Sequence, residues 1–281
     1  MSARLDAICT ALDFIEDHLQ GEISVADIAA ASGYSLYHFI RTFNQIVHHS
    51  PYDYLMRRRL SEAADELLVS DRSMLDISLD FGFNNYETFS RAFKRMFAIT
   101  PSQWQKHSEI PHRLLIPSLT RMYLEHLNGD DFPQLDVVER GETILAGLMI
   151  QDREDTTGLW QHLRRTLEGI PLAGDVNKRY GVRSLSPQPN GPAFFLVGAA
   201  IATPETIPPT LVVQKLPAGD YLRFTHRGQP VQCSLTLDYV YHTWLPNAGL
   251  RLVFPLVIEH VEGDNPTDGA REIFLPVEFV S

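Results

Sequence analysis

Apolar residues in the first hundred positions recur at helical spacing, and turn residues interrupt the pattern in the same way twice. In the first copy, a leading helix has its apolar side at Val25, Ile28 and Ala29. Gly33 then supplies a turn, and Ser35 is expected to cap the next helix. The residues of that second helix expected to face the core are Leu36, Phe39, Ile40, Phe43 and Val47. The corresponding stripe of the second copy is Phe89, Phe93, Met96 and Phe97. Each copy is therefore predicted to be a helix-turn-helix unit.

The two copies are related by an internal repeat with an offset of fifty residues. The matched pairs are Phe39 with Phe89, Arg41 with Arg91, Phe43 with Phe93, Pro51 with Pro101 and Tyr54 with Trp104. Between the copies, Tyr52 to Leu68 reads as one connecting helix of roughly 25 Å at 1.5 Å per residue. Such a helix can hold two recognition helices about 34 Å apart, the spacing of successive major grooves. Of its three arginines at 57–59, we expect one or two to contact phosphate or an acidic partner and the rest to be solvated.

The outward faces of the second helix in each copy are predicted to contact DNA. These faces carry Tyr37, His38, Arg41 and Gln45 in the first copy and Glu87, Thr88, Arg91, Lys94 and Arg95 in the second. The major groove of B-DNA admits one α-helix, where an arginine can bind guanine with two hydrogen bonds. The alternative is that these residues form a solvated face or intramolecular salt bridges, and the paired repeat favours DNA contact.

Beyond a segment at 108–132, predicted to be a linker with a helix at Leu119 to Leu127, the pattern changes to β-branched runs. Predicted strands are Leu135–Glu139, Thr143–Ile150, Ala193–Ile201, Leu211–Leu216, Tyr221–His226, Leu252–Val261 and Glu272–Phe279, with helices near Thr157–Glu168 and Val231–Trp244. Val137 to Arg140 is echoed by Val212 to Lys215. We therefore predict a multidomain chain in which an all-α domain at 1–107 precedes an α+β domain at 133–281 with an internal pseudo-two-fold repeat.

Composition and charge restrict the function. The net charge is -11, and residues 1–107 carry ten Lys and Arg against fourteen Asp and Glu, so any phosphate contact depends on local distribution. No apolar run is long enough for membrane insertion or export, and the only cysteines, Cys9 and Cys233, are far apart, so we expect a cytoplasmic protein. We expect no cofactor and no metal, since HxxxH and CxxC spacings are absent. Gly-rich phosphate loops and GxSxG are absent as well, and we do not expect an enzyme.

Residues from about 5 to 107 resemble the DNA-binding domain of the AraC/XylS family. The residues that carry the resemblance are Gly82, Phe83, Phe89, Ser90, Arg91, Phe93, Lys94, Phe97, Thr100, Pro101 and Trp104. The resemblance implies that DNA is contacted from Tyr37 and Arg41 and from Tyr86, Glu87, Thr88, Ser90 and Arg91. The chain departs from the family where His48 and Ala98 replace glycines that follow the recognition helices. Asn44 and Gln45 stand where basic residues are frequent, and Ile40 stands where close relatives have a polar residue.

Residues 133–278 resemble the GyrI-like effector-binding domain, an order of modules similar to that of the Rob-type regulators. The resemblance rests on Leu216 to Gly219, His226 to Gly228, Trp244 to Pro246, Ile258 with Glu259, and Ile273 to Val277. It implies a cleft for amphipathic, often cationic molecules that Glu259 faces. Aromatic walls for that cleft are predicted from Trp160, Tyr180, Phe194, Tyr239 and Trp244, although each could pack in the core instead.

Strand alternation supports a special position for Glu259. It shares a strand face with Val257 and Val261, and a carboxylate on an apolar surface must be hydrated, paired or close to a ligand cation. The alternatives are a wet strand end or a pair with an arginine such as Arg251. The whole chain predicts a bacterial transcriptional activator whose partners are promoter DNA, RNA polymerase and a small amphipathic or cationic effector. A second domain that hydrolyses small molecules, or that only dimerises or docks on the polymerase, is the alternative.

Overall fold

A computed structural model describes residues 2–106, 115–151, 157–173, 178–184, 193–204, 207–262 and 270–280. The chain divides into two compact units. The helical unit comprises Met1–Phe132 together with Leu235–Trp244, and the sheet unit comprises Pro133–Ser234 together with Leu245–Ser281. A short segment from late in the sequence therefore belongs to the helical unit.

The helical unit contains two helix-turn-helix pairs joined by one long helix, as the periodicity predicts. Its helices are α1 (Ser2–Asp17), α2 (Val25–Ala31), α3 (Leu36–Val47), α4 (Pro51–Val69), α5 (Met74–Asp80), α6 (Tyr86–Phe97), α7 (Pro101–Lys106) and α8 (Arg121–Leu127). Most begin at a residue whose side chain accepts a hydrogen bond from a backbone N–H of the first turn: Ser24, Ser50, Ser73, Asn85 and Thr120. Ser35 precedes α3 as predicted, but its side chain makes no capping hydrogen bond. The pairs α2–α3 and α5–α6 are the two units of the repeat.

The repeated aromatic residues form the core of the helical unit. Phe39, Phe43, Phe89 and Phe93 are fully buried, and the indole N–H of Trp104 donates to the backbone oxygen of Ala64 at 2.9 Å. The core prediction is wrong for two residues of α3, because Leu36 is 46% exposed and Ile40 is 36% exposed. The buried side of α3 differs from the predicted apolar stripe, since Phe39, Phe43 and Val47 are buried together with Thr42, whereas Leu36 and Ile40 are not.

All three arginines of α4 have partners within the helical unit, so the expectation that some are solvated is wrong. Arg58 is buried and donates three hydrogen bonds to Glu16, with further bonds to Glu62 and to the backbone oxygen of Ile116. Arg59 is also buried and donates to the backbone oxygen of Gly21 at 2.6 Å. Arg57 pairs with Asp53 at 2.9 Å. These side chains hold α1 and the loop before α2 against α4 and leave little of α4 for phosphate.

Two segments from outside residues 1–107 complete the helical unit. Within the predicted linker, α8 places Tyr123, Leu124 and Leu127 in the helical core. The segment Leu235–Trp244 contributes Leu235 and Tyr239, which pack against the same core. Residues of the helical core are therefore drawn from beyond the predicted first domain, whose limit at 107 stays a prediction.

The sheet unit is built on nine antiparallel strands among the described residues. They are β1 (Asp136–Arg140), β2 (Thr143–Gln151), β3 (Lys178–Ser184), β4 (Phe194–Ala200), β5 (Val212–Leu216), β6 (Gly219–His226), β7 (Leu250–Leu252), β8 (Leu256–Glu262) and β9 (Arg271–Phe279). The order across the sheet is β1-β6-β9-β8-β3-β4-β2-β5, with β7 paired to β9. Helix α9 (Thr157–Thr166) follows β2, and α10 (Pro230–Tyr239) follows β6. A π-helical turn, Val240–Trp244, and a short α11 (Leu245–Asn247) continue α10.

Two strand predictions are corrected. The central strand β3 was not predicted, because charged residues and Gly181 give Lys178–Ser184 little β propensity. The single strand predicted over Leu252–Val261 is two strands, β7 and β8, which pair with different parts of β9. The strands can be matched in four pairs: β1 with β5, β2 with β6, β3 with β8, and β4 with β9. Exchanging the two members of every pair gives the same strand order, counted from the other edge of the sheet. A two-fold repeat requires that order, and the repeat itself stays a prediction.

Candidate nucleic-acid interface and effector site

The outer face of α3 presents the four residues predicted for DNA contact in the first unit. Tyr37, His38, Arg41 and Gln45 are all exposed, and Tyr37 retains 80% of its accessible surface. Phe39 and Phe43 bury the opposite side of the helix and fix its rotation. The exposed side is therefore determined by the core, and it also carries Ile40.

The outer face of α6 is polar and basic. Glu87, Thr88, Arg91, Lys94 and Arg95 are exposed, and the Asn85 side chain caps the helix by accepting from the Thr88 backbone N–H at 2.9 Å. Tyr86 and Ser90, also predicted from the resemblance, are only partly exposed. The Tyr86 hydroxyl lies 3.6 Å from the Met74 sulfur and 3.5 Å from the Ser102 hydroxyl. Tyr86 is thus held by its own unit at the edge of the face, whereas the three cations project from it.

Both recognition helices end in a left-handed residue that is not glycine. His48 follows α3 with φ of 63°, and Ala98 follows α6 with φ of 62°. Left-handed backbone is strained for residues with a Cβ. This conformation explains why glycine suits both positions, at which the AraC/XylS family has glycine and this chain does not.

A groove of about 860 Å³ in the helical unit runs beside α6. Its lining includes Thr88, Arg91 and Arg95 of α6, together with Arg59 of α4. The acidic residues of the lining are Glu22, Asp27 and Asp53. Carboxylates repel phosphate, so the charge of this groove favours backbone contact at the α6 side. The local distribution of charge thus differs from the negative balance of residues 1–107.

In the sheet unit, Glu259 lies on the face of the sheet that it was predicted to share with Val257 and Val261. It stands on β8 opposite Gly181 of β3 and Ile273 of β9. Its carboxylate is 3.4 Å from the Arg271 guanidinium, and the two side chains are only 10% and 16% exposed. The predicted alternative partner, Arg251, pairs with Glu278 instead. Glu259 is therefore a buried carboxylate with a cationic partner from the next strand.

Two ionisable groups near the Glu259–Arg271 pair have shifted pKa values. Burial, followed by the Glu259 carboxylate, raises the pKa of the Cys233 thiol to about 12. Burial, followed by the Arg271 charge, lowers the pKa of His226. Both groups are thus kept neutral, and the charge of this region resides in Glu259 and the nearby arginines.

The predicted aromatic walls divide between different places. Trp160 of α9 lies on the Glu259 face, where its ring comes within 3.5 Å of a Cβ placed on Gly181. Tyr180 packs on the opposite face of the sheet against the His260 ring, with 4.3 Å between ring centroids, and alternation along β4 puts the exposed Phe194 on that opposite face as well. Tyr239 and Trp244 belong to the segment within the helical unit, where the Tyr239 ring contacts Phe132 and His48. The structure therefore leaves Trp160 alone of the predicted five beside Glu259.

Sequence reasoning missed the residues that accompany Trp160. Phe195 of β4 contacts the Trp160 ring at 6.2 Å between centroids, and its ring lies 3.0 Å from a Cβ placed on Gly181. The Arg183 guanidinium lies over the Phe195 ring at 5.1 Å. Recognition of β3 as a strand would have supplied the signal, because alternation then puts Gly181 and Arg183 on the Glu259 face.

Comparison with known proteins follows the same division. Residues 28–107 match the helix-turn-helix domain family, and residues 149–278 match the GyrI-like small molecule binding domain. The transcriptional regulator Rob of Salmonella typhimurium is 27% identical over 279 residues, covering 96% of this chain and 95% of Rob. The regulatory protein SoxS of Salmonella typhimurium is 36% identical over 98 residues, covering 35% of this chain and 92% of SoxS. The chain belongs to the AraC family of transcriptional regulators.

A solved AraC-type regulator from Chromobacterium violaceum matches 38% of the chain, with 26% identity over 95% of that structure and a TM-score of 0.36. As an AraC-family member, the chain is a DNA-binding transcriptional regulator with a C-terminal GyrI-like domain.

Within the described residues, no group of three His, Cys, Asp or Glu side chains is arranged to hold a metal ion. A search of the same residues finds no helix with the length and apolarity needed to span a bilayer.

Proposed function

We propose that the chain activates transcription in response to a small amphipathic molecule that binds the sheet unit beside Glu259. The observation that supports this is the buried Glu259 carboxylate, which lies 3.4 Å from the Arg271 guanidinium. Trp160 and Phe195 lie on the same face of the sheet. Charge-assisted N–H···O bonds are typically about 2.7 to 2.9 Å long, so the pair with Arg271 is loose. A cationic group of the effector would displace Arg271 from the carboxylate, while its apolar part would pack on the aromatic rings.

Calorimetry with tetraphenylphosphonium as probe tests the effector site. We expect the intact chain to bind this cation, and to bind the neutral triphenylphosphine oxide of similar shape more weakly. Glu259→Gln should lose the preference for the cation. Glu278→Gln is the matched control, because Glu278 also pairs with an arginine on a neighbouring strand but lies 45% exposed. Equal binding of the cation by the wild type and by Glu259→Gln would remove Glu259 from the site.

For the helical unit we propose that α3 and α6 enter successive major grooves, with Arg41 and Arg91 reading bases and Lys94 and Arg95 holding phosphates. Support comes from the exposure of these residues on two helices of one repeat. Activation further requires contact with RNA polymerase. In vitro transcription from a bound promoter, with and without the chain, distinguishes activation from repression by the sign of the change, and addition of the probe cation then tests the response to an effector.

A hydrolytic second domain is the competing proposal, because a carboxylate in an apolar site can act as a general base. Tyr180, a predicted wall residue that carries a hydroxyl, projects from the opposite face of the sheet, and one Glu259 oxygen lies 3.4 Å from the Arg271 guanidinium. Both observations favour binding over turnover. Incubation of the full chain with candidate small electrophiles, followed by mass spectrometry, decides the question, since product formation abolished by Glu259→Gln would establish an enzyme.

A further inference from the structure

The two recognition helices expose opposite chemistry. On α3 the exposed side chains include Leu36 at 46% and Ile40 at 36%. These residues are four positions apart, so they lie on one side of the helix in adjacent turns. On α6 the exposed side chains include Arg91, Lys94 and Arg95.

The internal repeat makes the difference specific. At an offset of fifty, Ile40 corresponds to Ser90, and Asn44 and Gln45 correspond to Lys94 and Arg95. Arg41 and Arg91 are the shared cations. The exposed side of α3 thus keeps one guanidinium and no carboxylate. It has amide groups in place of Lys94 and Arg95, and it has the aliphatic Ile40 in place of the hydroxyl of Ser90.

We propose that Ile40, assisted by Leu36, reads the methyl groups of thymines in the segment of DNA that α3 contacts. The thymine methyl is the one apolar group that base edges present in the major groove. An isoleucine placed against guanine or adenine leaves their polar edge atoms without partners, so it also disfavours those bases. Arg41, one position along the helix, supplies the neighbouring charged contact. This inference rests on the DNA-reading role proposed for α3 and is independent of effector sensing.

Replacement of thymine by deoxyuridine tests the inference, because it removes only the methyl group. A preferred site is first selected in vitro with the full chain, and the segment in which Arg91→Ala relaxes the selection is assigned to α6. In the other segment, deoxyuridine at one or two positions should weaken wild-type binding about three- to five-fold, the factor for burial of one methyl-sized group. Ile40→Ala should bind the thymine and deoxyuridine sites equally.

Two controls separate this role from a general loss of affinity. Leu75→Ala removes an aliphatic side chain of α5 that is 49% exposed, and it should keep the wild-type response to deoxyuridine. Deoxyuridine in the α6 segment should affect wild type and Ile40→Ala alike. Ile40→Gln should shift selection at the coupled position toward adenine, whose N6 and N7 pair with an amide.

A deoxyuridine penalty of the same size in wild type and Ile40→Ala would overturn the inference. Selection of a site without thymine in the α3 segment would also overturn it. Failure to select any sequence is a different result, because it contradicts the DNA-reading role on which the inference rests.

Discussion

The left-handed residues that end α3 and α6 allow a stability prediction with opposite signs for one kind of substitution. Ala98 has φ of 62° and is exposed, so a glycine there would lose no packed side chain. The left-handed conformation costs a residue with a Cβ roughly 1 to 2 kcal/mol, and the flexibility that glycine adds to the unfolded chain costs about 0.4 to 1 kcal/mol. Ala98→Gly should therefore stabilise the helical unit by about 1 kcal/mol.

Hydrogen exchange of the Trp104 indole N–H measures this change. That proton is donated to the Ala64 backbone oxygen inside the helical core, and Trp104 contacts Phe97, the last residue of α6. Its exchange therefore requires the helical unit to open. A stabilisation of about 1 kcal/mol slows exchange roughly five-fold under conditions where opening is at equilibrium.

The controls use the same substitution where the backbone differs. Ala92→Gly lies inside α6, where glycine is about 1 kcal/mol less favourable than alanine, so it should accelerate exchange. His48→Gly also relieves a left-handed residue but removes the bond from the His48 ring to the Tyr239 hydroxyl at 3.1 Å, so its net gain should be smaller than that of Ala98→Gly. Unchanged or faster exchange in Ala98→Gly would refute the reasoning from backbone strain.

Further predictions concern the buried arginine, the DNA contacts and the response to pH. Arg58→Met should destabilise the helical unit by roughly 2 to 3 kcal/mol in urea unfolding, because Glu16, whose side chain is 23% exposed, loses the guanidinium and keeps the Tyr54 hydroxyl as a donor; a smaller loss in Glu16→Gln/Arg58→Met than in Arg58→Met would show that the carboxylate without its arginine is the cause. Arg91→Ala should weaken binding to a selected site by about 1 to 3 kcal/mol and relax one base position, whereas Lys94→Ala should lower affinity for all sequences and reduce the salt slope by about one; gel-shift titrations that fail to separate the two would contradict these roles. Burial, followed by the Arg140 charge, lowers the pKa of His260 to about 3. Its contribution to stability is then complete above pH 6.5 and declines as pH falls toward 3, by about 2 kcal/mol at pH 5, and His260→Gln should lack this part of the loss in thermal unfolding between pH 8 and 5.

The helical unit could be predicted because its signals are local. Periodicity of 3.6 residues and turn glycines indicate the helices of the repeat and the helix that connects them, and the fifty-residue repeat identifies the two units. The exposed faces of α3 and α6 follow once the aromatic stripe is assigned to the core. Leu36 and Ile40 were wrongly predicted to lie in the core. Hydrophobicity indicates which residues can be buried, whereas the extent of the neighbouring core decides which residues are buried.

The effector site could be predicted only in part. Alternation along one strand correctly placed Glu259 with Val257 and Val261, because that relation is a property of the strand itself. Its partner Arg271 depends on the register between β8 and β9, which no local pattern specifies. The rings of Trp160 and Phe195 both lie over Gly181 of β3, where a side chain would meet them. The strand β3 itself forms because β4 and β8 offer hydrogen bonds on both of its sides.

The sequence by itself determined that the chain has two helix-turn-helix units followed by an α+β domain, since periodicity and repeats are written in the order of residues. It also predicted a helix over Val231 to Trp244. Only the tertiary structure decided that Leu235–Trp244 packs in the helical unit, where His49 bonds to Thr243 at 2.8 Å and His48 to Tyr239. The physical reason is that the pattern of a helix shows that its apolar face must be buried, but not which surface buries it. Here that surface includes residues nearly two hundred positions away in the sequence.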